Sequence, residues 1–139
     1  MTFHVLFTCF ILKVTFSHVI LMNISPAKSS NDAAMFDIDD TLIDSSTGEI
    51  KENVYKLYVQ LQKMGYKMVI ITARPGFQNN VKSTQSELSK LNITYDELVF
   101  TPPSGKSIYK RQSKYNYMIS VGDMDTDLTD SKYAIKISN

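Results

Sequence analysis

Ala33-Ala34-Met35-Phe36-Asp37-Ile38-Asp39-Asp40-Thr41-Leu42 is the stretch on which the fold turns. Four apolar residues run straight into an acid, the pattern of a strand buried on both faces that ends at an acidic loop. The same plan recurs downstream. Met68-Val69-Ile70-Ile71 is too short for a helix and rich in β-branching, and it stops at Thr72. Leu98-Val99-Phe100 halts at Pro102-Pro103, Tyr117 to Val121 leads into Gly122-Asp123, and Tyr133 to Ile137 reads as a fifth strand.

Helical periods fill the gaps between these runs. Ile50, Val54, Leu57, Leu61 and Met64 recur at spacings of 4, 3, 4 and 3, one face of a helix, and Gly65 follows where a left-handed cap is wanted. Phe77, Val81, Thr84, Leu88 and Leu91 repeat the spacing, with Pro75 suited to the first turn and Asn92 to the end. A brief helix is expected over Ser107 to Tyr115, and a short helix or turn over Asp125 to Lys132. Alternating strands and helices predict an α/β domain, a Rossmann-like doubly wound parallel sheet of about five strands.

With 139 residues, 43% apolar and 21% charged, the chain is one ordinary globular domain; disorder, collagen and coiled coil are excluded. Its net charge of +1 provides no global field toward nucleic acid or an anionic membrane. A single cysteine, Cys9, excludes a disulfide framework and a cysteine-built metal site, so any metal must sit mainly on oxygen ligands.

The first residues are a different material. Lys13 is the only formal charge before Lys28, and four of the seven phenylalanines (Phe3, Phe7, Phe10, Phe16) fall there. Residues 1–31 are therefore separated as an apolar N-terminal segment from a domain at 32–139. Two readings stand. In one, Val5 to Leu12 is the apolar run of a signal or anchor, with Ser25-Pro26-Ala27 as cleavage triplet, secreted or membrane-associated and touching a membrane through 1–27. In the other, the segment is an extra element packed on a cytoplasmic domain or poorly ordered sequence upstream of it, and Lys13 at its centre disfavours a span.

Ligands of a parallel sheet bind outside the carboxyl ends of its strands, and the polar residues gather there. Asp37, Asp39 and Asp40 follow the first strand, Thr72 and Arg74 the second, and Asp123, Asp125 and Asp127 the fourth. Lys106 and Lys110 lie in the segment returning from the third. Carboxylates converging at about 4–6 Å raise one another's pKa unless a cation neutralises them. Without cysteine or a local histidine, the natural guest is Mg²⁺. Magnesium beside a lysine suits a phosphoryl group, which a carboxylate can attack while a second one two residues along handles the proton.

These residues resemble a known family. Phe36-Asp37-Ile38-Asp39-Asp40-Thr41-Leu42 is similar to the first signature of the haloacid dehalogenase superfamily, Ile70-Ile71-Thr72-Ala73-Arg74-Pro75 to its second, and Val121-Gly122-Asp123-Met124-Asp125-Thr126-Asp127 to its fourth. Together they span roughly residues 33 to 137 in the family's order. The resemblance implies a phosphatase, with Asp37 as nucleophile, Asp39 as general acid/base, and Thr72 on the phosphoryl oxygens. Asp123 would bind Mg²⁺ beside Asp37 and the Asp39 carbonyl, with Asp127 supporting the ion directly or through water. Tyr109-Lys110 resembles the lysine segment of the acid-phosphatase-like branch, so Lys110 is the expected catalytic and substrate-binding lysine, with Lys106 as the alternative. Arg74 is a candidate substrate contact. Only 32 residues lie between Asp39 and Thr72, which leaves no room for the lid domain that many members insert there.

The expected partner is thus a phosphorylated substrate, either a small phosphomonoester or the end group of a larger molecule. A nucleic-acid end phosphatase is the narrower alternative, and the lack of a basic stripe weighs against it. A non-catalytic storage or regulatory relative would tend to lose the nucleophile, yet Asp37 is intact. A phosphoacceptor signalling domain would want an acid after the third strand, where Thr101-Pro102-Pro103 stands. Asp40, Asp44 and Asp130 are expected to serve turns and caps. Tyr109, Tyr115, Tyr117 and Tyr133 are expected to pack.

Overall fold

The computed structural model describes residues 2–7, 10–15 and 24–138. Seven strands form one sheet: β1 (Thr2–Phe7), β2 (Phe10–Thr15), β3 (Asp32–Phe36), β4 (Lys67–Thr72), β5 (Glu97–Phe100), β6 (Asn116–Gly122) and β7 (Tyr133–Ile137). Among the described residues three helices accompany them, α1 (Glu52–Lys63), α2 (Gln78–Lys90) and α3 (Gly105–Gln112), with a 3₁₀ turn at Asp125–Asp127.

The strand order is β2-β1-β7-β6-β3-β4-β5. From β7 to β5 all pairings are parallel, so five strands make the expected sheet. Two more extend it: β1 and β2 pair with each other, and β1 with β7, in antiparallel fashion. Cys9, His18 and most of the second apolar stretch, 14–24, lie outside the described residues. No helix among the described residues is long and apolar enough to cross a membrane.

The helix faces follow from strand periodicity. Successive strand side chains point to opposite faces. Ala34 and Phe36 of β3 join Val54, Leu57, Tyr58 and Leu61 of α1 and Leu88 of α2 in one apolar cluster. Ala33 and Met35 join Val69, Ile71 and Tyr117 in the other, with Tyr109 of α3 packed against it. Right-handed crossovers produce this division: β3-β4-β5 step one way with α1 and α2 on one face. The chain then returns through α3 on the other face to reach β6. The order therefore reverses beside β3, and a crevice opens there at the strands' carboxyl ends.

Helix boundaries differ from expectation in two places. Pro75 does not open α2; Phe77 is its N-cap and is largely exposed, and only Thr84 and Leu88 of α2 are buried. The third helix begins at Gly105, two residues before the expected start, and ends at Gln112. The left-handed positions agree with the sequence, with φ of 89° at Gly65 and 57° at Asn92.

Candidate active site

Asp37 is the first residue past β3, and its backbone N–H donates to the Val121 carbonyl at 3.1 Å, which pins the end of β3 to β6. Its carboxylate lies with those of Asp123 and Asp127, one oxygen from each within 4.8 Å of the others. Three oxygen donors at that spacing can hold a metal ion, and a hard cation suits them. Burial, with the Asp127 charge second, pushes the Asp37 carboxyl up to about 7. Burial likewise raises Asp123, against a hydrogen bond with Asp37 that lowers it. Crowded acids, two of them buried and one half-buried, ask for positive charge, and these residues fit a divalent ion.

Lys106 supplies part of that charge. It sits in the first turn of α3, and its Nζ lies 3.0 Å from Asp37 Oδ1 and 2.5 Å from Asp127 Oδ1. Burial alone would lower this ammonium, but Asp37 and Asp127 outweigh it and hold it above its ordinary value.

Lys110, the lysine expected from the sequence, lies one turn further along the same helix face. It is buried too, but its Nζ donates to Ser120 Oγ at 3.0 Å and to the carbonyls of Asp127 and Thr129, each at 2.7 Å. The structure thus brings Lys106, not Lys110, against the carboxylates. From the second turn of α3 an ammonium reaches backbone below the sheet edge, whereas from the first turn it reaches the edge itself.

Asp39 is not in the three-carboxylate group. Its side chain is 40% exposed and turns to Arg74, whose Nη2 donates to Oδ1 at 2.8 Å and Nε to Oδ2 at 2.9 Å. Nη1 of the same guanidinium reaches Glu87 Oε2 at 2.7 Å and Thr84 Oγ1 at 3.2 Å on α2. Thr72 is fully buried at the end of β4, and its Oγ1 accepts the Arg74 N–H at 3.1 Å. Glu87 escaped the sequence reading, because an acid on a polar helix face carries no signal of its partner.

One tight spot explains a small residue. A Cβ on Gly122 would fall 2.2 Å from the Asp127 Cβ, so only glycine lets that carboxylate lie over the end of β6. The Asp127 side chain is held from both sides, with Lys106 on Oδ1 and the Met124 N–H on Oδ2 at 3.1 Å. The remaining acids serve the fold: Asp40 accepts from Ser45, Asp44 from Ser46 and Asp130 from Ser107, while Asp125 pairs with Lys136 at 2.7 Å. Tyr109 and Tyr115 pack beside Tyr117, and Tyr133 packs on the larger cluster.

A parallel α/β sheet with an acidic, lysine-bearing crevice at its switch point defines a class of domain, and sequence comparison narrows it. The sequence model of the haloacid dehalogenase-like hydrolases matches residues 34–119, more than half of the chain, and the protein belongs to that family. No curated protein matches it. Among solved structures, a chain of the "Pnkp1/Rnl/Hen1 complex" superposes with a TM-score of 0.58 at 19% identity, a likeness of fold. The match covers 72% of this chain and 42% of that one, so the present chain spans less than half of that chain's length.

Proposed function

We propose that this protein is a metal-dependent phosphomonoester hydrolase in which Asp37 receives the phosphoryl group. The observation that carries the reading is the meeting of Asp37, Asp123, Asp127 and Lys106 at the switch point of a haloacid dehalogenase-like fold. Asp37 Oδ attacks phosphorus, the bond from phosphorus to the leaving oxygen breaks, and Asp39 gives that oxygen a proton. Asp39 then takes a proton from water, the water oxygen bonds to phosphorus, and the Asp37–phosphorus bond breaks to release inorganic phosphate. Bound to Asp37, Asp123 and Asp127, a hard divalent ion such as Mg²⁺ would supply charge neutralisation of the phosphoryl oxygens and of Asp37.

The chain's own groups divide the remaining work. Lys106 offsets charge between Asp37 and Asp127. The Thr72 oxygen accepts from Arg74, leaving its O–H to donate to a phosphoryl oxygen. Asp39 donates a proton only after Arg74 has let go of one of its oxygens, and a phosphoryl dianion is a competing partner for that guanidinium. Among the described residues, the β3–β4 connection holds turns, single bridges of Ile43 to Asp39 and to Ile50, and α1, and the β5–β6 connection holds α3. An edge so lightly covered suits a small phosphomonoester or an end group on a larger molecule.

The test is hydrolysis of an aryl phosphate with and without Mg²⁺ by the wild type and Asp37→Asn, followed by a panel of phosphorylated metabolites and oligonucleotides bearing a terminal phosphate. We expect Mg²⁺-dependent turnover that falls at least about 10³-fold in the variant. Substantial activity in Asp37→Asn would overturn the mechanism. A wild type that neither turns over nor gains thermal stability from Mg²⁺ would point to a non-catalytic relative.

A further inference from the structure

Lys110 is a buried ammonium that the proposed chemistry does not use. Its three donors go to Ser120 Oγ at 3.0 Å, the Asp127 carbonyl at 2.7 Å and the Thr129 carbonyl at 2.7 Å. None of these is a carboxylate. Burying a lysine for structure alone is costly, since an apolar side chain of the same length would fill the space without desolvating a charge. The expense is visible in the ammonium itself, which burial lowers to about 8.

The acceptors explain what is gained. Ser120 is on β6, the strand that ends at Gly122 and delivers Asp123. The Asp127 carbonyl ends the turn that delivers the Asp127 side chain, and the Thr129 carbonyl lies two residues past it. One ammonium therefore ties the strand carrying one carboxylate to the turn carrying the other, and it does so from the helix that carries Lys106. Little play is tolerable there, because the Asp127 side chain lies against Gly122 where not even a methyl group fits. The turn is only three residues long and its internal bonds are few, Asp127 N–H to the Met124 carbonyl at 3.0 Å and Leu128 N–H to the Asp125 carbonyl at 3.1 Å.

We propose that Lys110 is a positioning residue: by holding the Asp127 and Thr129 carbonyls against β6 it sets the Asp127 carboxylate relative to Asp37 and Asp123, and so sets the protein's affinity for a divalent ion. The proposal rests on the metal-centre reading above. Groups that orient metal ligands typically change affinity or activity by 10–100-fold when removed.

The experiment is calorimetric titration of the full chain with Mg²⁺, alongside aryl phosphate kinetics, for the wild type, Lys110→Met, Ser120→Ala and Tyr66→Phe. Tyr66→Phe removes the hydroxyl that donates to the Ser25 carbonyl at the opposite edge of the sheet, and serves as a control for lost stability alone. Lys110→Met should raise the Mg²⁺ half-saturation concentration at least about tenfold and lower kcat about as much, with KM within about threefold. Ser120→Ala should raise it by a smaller factor, about two- to fivefold, and Tyr66→Phe should leave it unchanged. Wild-type Mg²⁺ affinity in Lys110→Met overturns the proposal, as does an equal loss in Tyr66→Phe. If Lys110→Met does not fold, unchanged affinity in Ser120→Ala overturns it. A wild type that takes up no Mg²⁺ overturns the metal-centre reading first, and this one with it.

Discussion

Arg74 grips both carboxylate oxygens of Asp39, at 2.8 and 2.9 Å, while its third nitrogen is fixed to Glu87 and Thr84 on α2. A flat guanidinium makes this fork and an ammonium cannot. Arg74→Lys should therefore behave as a loss rather than a conservative change, lowering kcat/KM for an aryl phosphate by about tenfold or more. Glu87→Gln, which keeps the shape and removes one charge from the Arg74 site, should cost less than Arg74→Lys. Steady-state kinetics on both variants checks the order.

Lys106 and Lys110 should separate cleanly in rate. Lys106→Met leaves Asp37 and Asp127 without their shared ammonium, and kcat should fall about 10²–10³-fold, as when a preorganised charge-stabilising donor is removed. That deficit should persist at saturating Mg²⁺. The Lys110→Met deficit should shrink as Mg²⁺ is raised. Rates at low and high Mg²⁺ decide between these behaviours.

The metal-free protein should lose stability as pH rises from about 4 to about 7. Asp37 has its folded pKa raised to about 7 from 3.8, so the folded state binds the proton more tightly than the unfolded one. The stability gained by neutral Asp37 is complete below pH 3.8 and is lost as pH climbs through 7. Asp123 is displaced in the same direction, chiefly by burial. Divalent ions favour the ionised form, so the gain in Tm on adding Mg²⁺ should be larger at pH 8 than at pH 5. By the same argument Asp37→Asn should raise the Tm of the metal-free protein at pH 8 by several degrees. Thermal melts at the two pH values, with Mg²⁺ and with chelator, test both statements.

Gly122→Ala should be among the most damaging single-methyl additions in the molecule. The new Cβ would lie 2.2 Å from the Asp127 Cβ and 2.3 Å from its Oδ2, so the strand end or the carboxylate must move. A stability loss of about 1–3 kcal/mol is expected from such overpacking. Mg²⁺ affinity should fall with it. Gly48→Ala makes a useful contrast: nothing lies within 4 Å, so its cost comes from the positive φ of 73° alone. Denaturant melts of the pair separate crowding from backbone strain.

The parallel strands and the three acids were legible in the sequence because each depends on adjacent residues: an apolar run, then a polar stop. The choice of Lys106 over Lys110 was not, since two lysines four residues apart on one helix face present the same pattern, and only the height of each turn above the sheet decides which reaches Asp37. Asp39 was legible as a second acid after β3, but its engagement with Arg74 and Glu87 joins three segments that no local pattern links. Phe77 fits the α2 period yet caps the helix in the open, because Pro75 and Gly76 remain in the loop and delay the first turn. The apolar start of the chain fitted a signal or anchor as well as it fitted an added element or poorly ordered sequence, because strand pairing with β7 depends on a partner more than a hundred residues away.

The crevice at the end of β3 sets three carboxylates against the one ammonium of Lys106. When all three are ionised it repels anions, and a phosphate ester arriving first would meet that field. Binding should then be ordered, with the cation boarding before the ester and leaving after inorganic phosphate. Excess ester would not compete with the cation for entry, and starvation for the cation would silence the protein whatever the supply of ester.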